Sequence, residues 1–212
     1  ALIVLGSLVA FGSGRTARSE EPPLRDLFSD TWVAVDGLGR RLPTAEEVGP
    51  PRPNRNVAIF YFLWLGRSGD LGPFDVTKIL QAAPDAMSEP GNPLWGPPRY
   101  PHHWGESLFG YYRNDDPGVL RKHAQMLADA GVDAVFFDVT NQLTYPESWR
   151  ALGETFGEMR RQGLNVPRMA FLTPFWEPRK VVRELYEQLY KPGLYPELWF
   201  RWEGKPLILA DP

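Results

Sequence analysis

Four apolar runs in this chain each end in groups that can hydrogen-bond or stack. Tyr61 and Trp64 close the first, Asp138 and Asn141 the second, Thr173 and Trp176 the third, and Asp211 the fourth. A loop between the first two runs adds His102, His103, Trp104 and Glu106. Carboxylates, amides and hydroxyls suit sugar hydroxyls, while indole and phenol rings stack on the apolar faces of a sugar. Glycosidic cleavage needs two carboxyl groups across the scissile bond, one protonated and one ionised. Asp138 is the candidate catalytic carboxylate. Asp211 is the other strand-end aspartate, on a nonadjacent strand, and spacing alone does not set the distance between them. Tyr61, Trp64, His102, His103, Trp104, Glu106, Asn141, Thr173, Trp176 and Asp211 are candidate substrate contacts.

Each of these residues also has a plainer reading. Asp138 can cap the loop that follows it. His102 and His103 are adjacent, a spacing that does not put two ligands on one face of a helix or strand, so no metal site is expected. They serve either a ligand or the packing of their own loop. Asp115-Asp116 suggests the metal pair of a polysaccharide deacetylase, but Asp116-Pro117 is also a helix cap followed by a first-turn proline. Asp133 has opposite parity to Asp138 and reads as a structural residue at the strand's start. His123 lies on the apolar side of a helix and reads as structural. No phosphate-binding glycine motif or nucleophile elbow occurs. The chain has no cysteine, which removes thiolate chemistry and disulfides.

The elements that would position these groups are legible from periodicity. Residues 110–141 read as loop, helix, tight turn and buried strand. Asp116 caps the helix, and Val119, Leu120, His123, Ala124, Met126, Leu127 and Ala130 recur at helical spacing. Gly131 ends it, and residues 132–137 form a strand buried on both faces. Residues 57–64 (VAIFYFLW) read as an earlier strand, and residues 74–83 hold a short helix. A second long helix carries Trp149, Leu152, Phe156 and Met159 on one face, with Thr144 and Glu147 as its capping box. Residues 169–172 form a third strand. Pro178 opens a helix with Val181, Val182, Leu185 and Leu189 inward. Residues 198–202 and 206–210 flank a Glu203-Gly204 turn, the latter run being the fourth strand. Strands alternating with helices imply a parallel sheet. The expected fold class is α/β, a (β/α)8 TIM barrel of which this chain covers the first four β/α units; a complete barrel takes about 250 residues. The alternative is a complete four- or five-stranded open α/β domain.

The chain has 212 residues, 43% hydrophobic and 13% aromatic, enough for one sizeable core. A net charge of -3 gives no electrostatic footprint for nucleic acid or an anionic membrane. Residues 1–11 are apolar but shorter than the roughly 20 residues that span a bilayer. Small residues follow, as in a secretory signal without its charged start. The expected organisation is a signal remnant and leader at 1–19, and an extension at 20–55 with a hairpin at Asp36-Gly37-Leu38-Gly39 and a proline-rich linker. The barrel part follows at 56–212. The expected location is secreted or periplasmic, without stable insertion in a membrane.

The string HHWGESLFGYYRNDDPGVLRKHAQMLADAGVDAVFFDVTN, with VAIFYFLW before it and WFRWEGKPLILADP after it, resembles a bacterial group related to glycoside hydrolase families 71 and 99. The resemblance covers residues 32–212. It implies an exported (β/α)8 barrel that hydrolyses glycosidic bonds of a poly- or oligosaccharide and uses no cofactor. Family 99 relatives are endo-acting α-mannosidases whose catalytic glutamates come late in the barrel, and nothing here matches that segment. Family 71 relatives are α-1,3-glucanases. The resemblance therefore implies that the main acid and base lie beyond this chain. Asp138, Asn141, His102, His103 and Glu106 would then contact or support substrate. Two other functions remain open on sequence: a non-catalytic carbohydrate-binding relative, and a metal-dependent polysaccharide deacetylase.

Overall fold

The computed structural model describes residues 33–50, 52–65 and 71–210. The expected signal remnant, Trp32 and Asp211 lie outside the described residues. In chain order the elements are α1 (Ala45–Val48), β1 (Ala58–Tyr61), α2 (Val76–Ala82), α3 (Pro117–Asp129), β2 (Ala134–Asp138), α4 (Pro146–Arg161), β3 (Arg168–Leu172), α5 (Arg179–Leu185), β4 (Arg201–Trp202), β5 (Lys205–Pro206) and β6 (Ile208–Leu209). The protein is α/β. Its four-stranded sheet has the order β1-β2-β3-β6, and every pairing in it is parallel. No helix among the described residues is long and apolar enough to cross a membrane.

Local chemistry accounts for most of these elements. The Asp116 carboxylate accepts from the Gly118 and Val119 amides at 2.8 and 3.1 Å, and Pro117 starts α3 without needing an amide donor. Gly131 takes the left-handed conformation (φ 73°) that turns the chain into β2. Asp133 then clamps the sheet. Its carboxylate accepts from the Val57 amide at 2.7 Å, and its own amide donates to the Val57 carbonyl at 2.8 Å. This carboxylate is structural, as its parity suggested. Glu203 and Gly204, both at positive φ, form the tight turn between β4 and β5. The expected small hairpin is present, with Val35 bridged to Arg41 around Asp36.

Parity divides the sheet. Val135 and Phe137 of β2 and Met169 and Phe171 of β3 face the helices. There they are buried with Leu120 and Ala124 of α3, Trp149, Leu152, Phe156 and Met159 of α4, and Val181 and Leu185 of α5. Side chains of the opposite parity form the second face. Ala134 and Ala170 pack there with Phe200, and Phe136 lies against them. Phe60 on β1 and Phe62 just beyond it are 59% and 45% exposed. Helices therefore cover one face of a parallel sheet, and the other is apolar and largely open.

Three expectations are corrected. β1 ends at Tyr61, so residues 62–64 leave the sheet at its carboxyl end. Residues 198–202 and 206–210 are not two continuous strands. The first opens with the 3-10 turn Pro196–Leu198. The second divides because Pro206 pairs antiparallel with Arg201, whereas Leu209 pairs parallel with Leu172. Thr144 does not cap α4, because its hydroxyl bonds the Glu184 carboxylate and Tyr145 takes the cap position.

Tyr61 illustrates the parity rule. It aligns with Phe137, so it faces the helices, and its hydroxyl meets His123 Nδ1 at 2.8 Å. Phe109 and Tyr112 also pack on His123. Burial lowers the His123 pKa below 6.5, and burial followed by the nearby Tyr112 raises that of Tyr61. The unfolded chain therefore binds the His123 proton more readily than the folded one. Stability is complete above pH 6.5 and falls as the pH drops through the folded pKa. Thermal melts between pH 7 and 5 should show this loss, and His123→Gln, which keeps a hydrogen-bonding group but does not titrate, should flatten it.

Candidate functional site

β2 carries Asp138 to the carboxyl end of the sheet, where parallel α/β folds place their chemistry. Asp138 is half-buried and belongs to the face opposite the helices. Its Oδ1 accepts from the Thr140 amide at 2.9 Å and the Thr140 hydroxyl at 2.7 Å. One oxygen is thus held by its own loop, the plainer of the two sequence readings. Its Oδ2 takes no hydrogen bond among the described residues.

A cavity of about 630 Å³ opens at the ends of β1 and β2. Leu63, Trp64, Arg99, Asn141, Tyr145 and Glu147 are among its walls. The Trp64 ring lies 5.8 Å from that of Tyr145 and 4.7 Å from that of Phe62, measured between centroids. Asn141 accepts from the Leu143 amide through Oδ1 at 3.2 Å, which turns its Nδ2 to donate to the Tyr145 hydroxyl. Burial, with the Asp138 carboxylate adding to it, raises the Tyr145 pKa despite the opposing Asn141 bond, so the phenol stays protonated at neutral pH. Arg99, Gln142 and Tyr145 all adopt positive φ around this cavity. Non-glycine residues held there cost about 1–3 kcal/mol each, and such strain collects at functional sites.

Of the expected contacts, the structure brings Trp64 and Asn141 to this cavity, with Asp138 close enough to act electrostatically on Tyr145. Tyr61 lies on the other face of the sheet. Thr173 is 0% exposed, and its hydroxyl donates to the Leu209 carbonyl at 2.9 Å, so it joins β3 to β6 instead of presenting a surface group. His103 is buried and donates through Nε2 to the Tyr112 carbonyl at 2.9 Å. His102 donates through Nδ1 to the Tyr100 carbonyl at 2.7 Å, among the rings of Phe74, Trp95 and Tyr100, and its buried Nε2 has no partner among the described residues. Trp104 and Glu106 are exposed on the same loop. Trp176 is 93% exposed and lines a separate groove with Phe175, Tyr186 and Ile208, beside β6.

Sequence reasoning missed Tyr145, Arg99 and Asn114 and read Glu147 only as part of a cap. Asn114 is buried and donates through Nδ2 to the Leu63 carbonyl and, at 3.1 Å, to the Ser148 hydroxyl. It ties the end of β1 to the start of α4, the two elements that frame the cavity. No local pattern in the sequence marks it, because asparagine is usually an exposed residue. Asn114→Ala leaves the Leu63 carbonyl unpaired and should destabilise the fold by about 1–3 kcal/mol. Asn114→Asp should cost more, because a carboxylate only accepts and would face that carbonyl; chemical denaturation of both variants measures the order.

No family model matches the chain, and no curated protein matches it. Among solved structures, it is similar to the GH99 endo-alpha-mannosidase from Bacteriodes thetaiotaomicron in complex with bis-tris-propane. The TM-score is 0.44 and the identity 18%, over 73% of this chain and 41% of that one. The chain thus spans about two fifths of the length of that enzyme.

Proposed function

We propose that the chain is part of an exported (β/α)8 glycoside hydrolase, supplying four of its β/α units, that cleaves O-glycosidic bonds of an α-linked gluco- or manno-oligosaccharide or polysaccharide. The observation that carries this reading is the cavity at the ends of β1 and β2, walled by the Trp64 and Tyr145 rings and the Asn141 amide, with the Asp138 carboxylate acting electrostatically on Tyr145. Rings for the apolar face of a sugar and polar groups for its hydroxyls are the two requirements of a saccharide site. The resemblance of residues 102–141 to families 71 and 99 supports the same substrate class. The open aromatic face of the sheet supports a barrel, since parallel sheets are covered on both faces and closure would enclose Phe60 and Phe62. The apolar start of the sequence supports export.

On this reading Asp138 contacts substrate or supports charge at the site, while the principal acid and base belong to later strands. A second reading, carbohydrate binding without cleavage, is favoured by one observation: Asp138 commits Oδ1 to Thr140 while the ring-lined cavity is intact. Nothing favours a metal-dependent deacetylase, because Asp115 pairs with Arg113 at 3.0 Å and Asp116 caps α3. The test is retention and reducing-end release by the full-length protein, later strands included, with α-1,3-gluco- and α-manno-oligosaccharides. Retention that drops about tenfold or more in Trp64→Ala supports the site, a loss equal to about 1.4 kcal/mol of binding. Release that falls in Asp138→Asn supports hydrolysis, retention without release supports binding alone, and neither retention nor release rejects the carbohydrate reading.

A further inference from the structure

Tyr145 stands in a position that its backbone does not favour. It is the cap residue of α4, at φ 51° and ψ 56°, and its side chain makes no capping bond. Caps favour Ser, Thr, Asn or Asp, and the left-handed region favours Gly or Asn. The α4 amides of Ser148 and Trp149 bond only its carbonyl, at 3.1 and 3.2 Å, which any residue supplies. The helix start therefore does not require a tyrosine side chain.

What the side chain does is held at three points. Its ring packs partly buried against the main core and against Trp64 on the cavity wall. Its oxygen accepts from Asn141 Nδ2, and Asn141 cannot rotate its amide without losing the Leu143 amide from Oδ1. With its oxygen accepting, the phenol still has its own hydrogen to donate, and no described residue accepts it. The half-buried site and the Asp138 carboxylate both favour the neutral, donating form.

Resting on the carbohydrate reading, we propose that Tyr145 is a specificity-determining residue that donates its phenolic hydrogen to one oxygen of the glycosyl unit stacked on Trp64. A site built to hydrogen-bond one hydroxyl discriminates sharply against an analogue lacking it, because the protein group is then left unpaired. The cavity would thereby select its sugar by a single oxygen position, with Asn141 as the residue that orients the donor.

The experiment is calorimetric titration of the full chain with α-1,3-gluco- and α-manno-oligosaccharides and their monodeoxy analogues, alongside thermal melts. Tyr145→Phe keeps the ring and should leave the melting temperature unchanged while weakening binding about tenfold, the scale of one hydrogen bond. One monodeoxy analogue should bind wild type about tenfold more weakly than its parent, yet bind Tyr145→Phe no more weakly than the parent does. Wild-type affinity in Tyr145→Phe, with binding lost in Trp64→Ala, overturns the proposal and leaves the carbohydrate reading standing. An equal loss for every analogue in both proteins also overturns it, since no single oxygen is then read. If the wild type binds none of the oligosaccharides, the carbohydrate reading fails and the proposal fails with it.

Discussion

Side chains alternate along a strand, so burying Phe137 under the helices commits Asp138 to the opposite face. The rest of the molecule follows from that one commitment. Phe137 meets Tyr61 and Phe171 across the sheet, and together with Val135 and Met169 they form the floor on which α3, α4 and α5 lie. The Asp133–Val57 clamp holds the β1–β2 register, and a slip of one residue would exchange the two faces. Phe60, Phe136 and Asp138 then share a face that no helix covers.

The cavity is built at the price of local strain. Arg99, Gln142 and Tyr145 sit at positive φ in the two segments that wall it. Two amides brace the walls: Asn114 ties the chain beyond β1 to α4, and Asn141 fixes the phenol of Tyr145. Asn114 acts by donating twice through Nδ2, and Asn141 by accepting at Oδ1 while donating through Nδ2; a carboxylate, which only accepts, would reproduce neither.

The segment between β1 and α3 is long but not loose. Trp95 bonds the Ala86 carbonyl at 3.0 Å and Tyr100 the Leu71 carbonyl at 3.0 Å. The Phe74 ring lies so close to Gly96 that any Cβ there would collide with it, at 2.3 Å. His102 and His103 use their nitrogens on backbone carbonyls of the same segment. Polar residues in a loop thus serve first to satisfy the loop itself, because buried carbonyls need donors.

Much of the scaffold was legible in the sequence because its signals are local. The Asp116 cap, the left-handed Gly131, the buried face of α4 at Trp149, Leu152, Phe156 and Met159, and the Glu203-Gly204 turn each depend on residues a few positions apart. So does the alternation that separated Asp133 from Asp138. Other assignments were decided only by tertiary structure. The run VAIFYFLW is apolar at every position, so it carries no mark of which parity faces the helices; pairing with β2 settled that and turned Tyr61 inward. Thr173 became a sheet contact because β6 arrived beside it, and Thr144 lost its capping role because Glu184 lies within reach of its hydroxyl. Periodicity and caps are written in neighbouring residues, whereas the partner of a polar side chain is chosen by whatever the fold brings next to it.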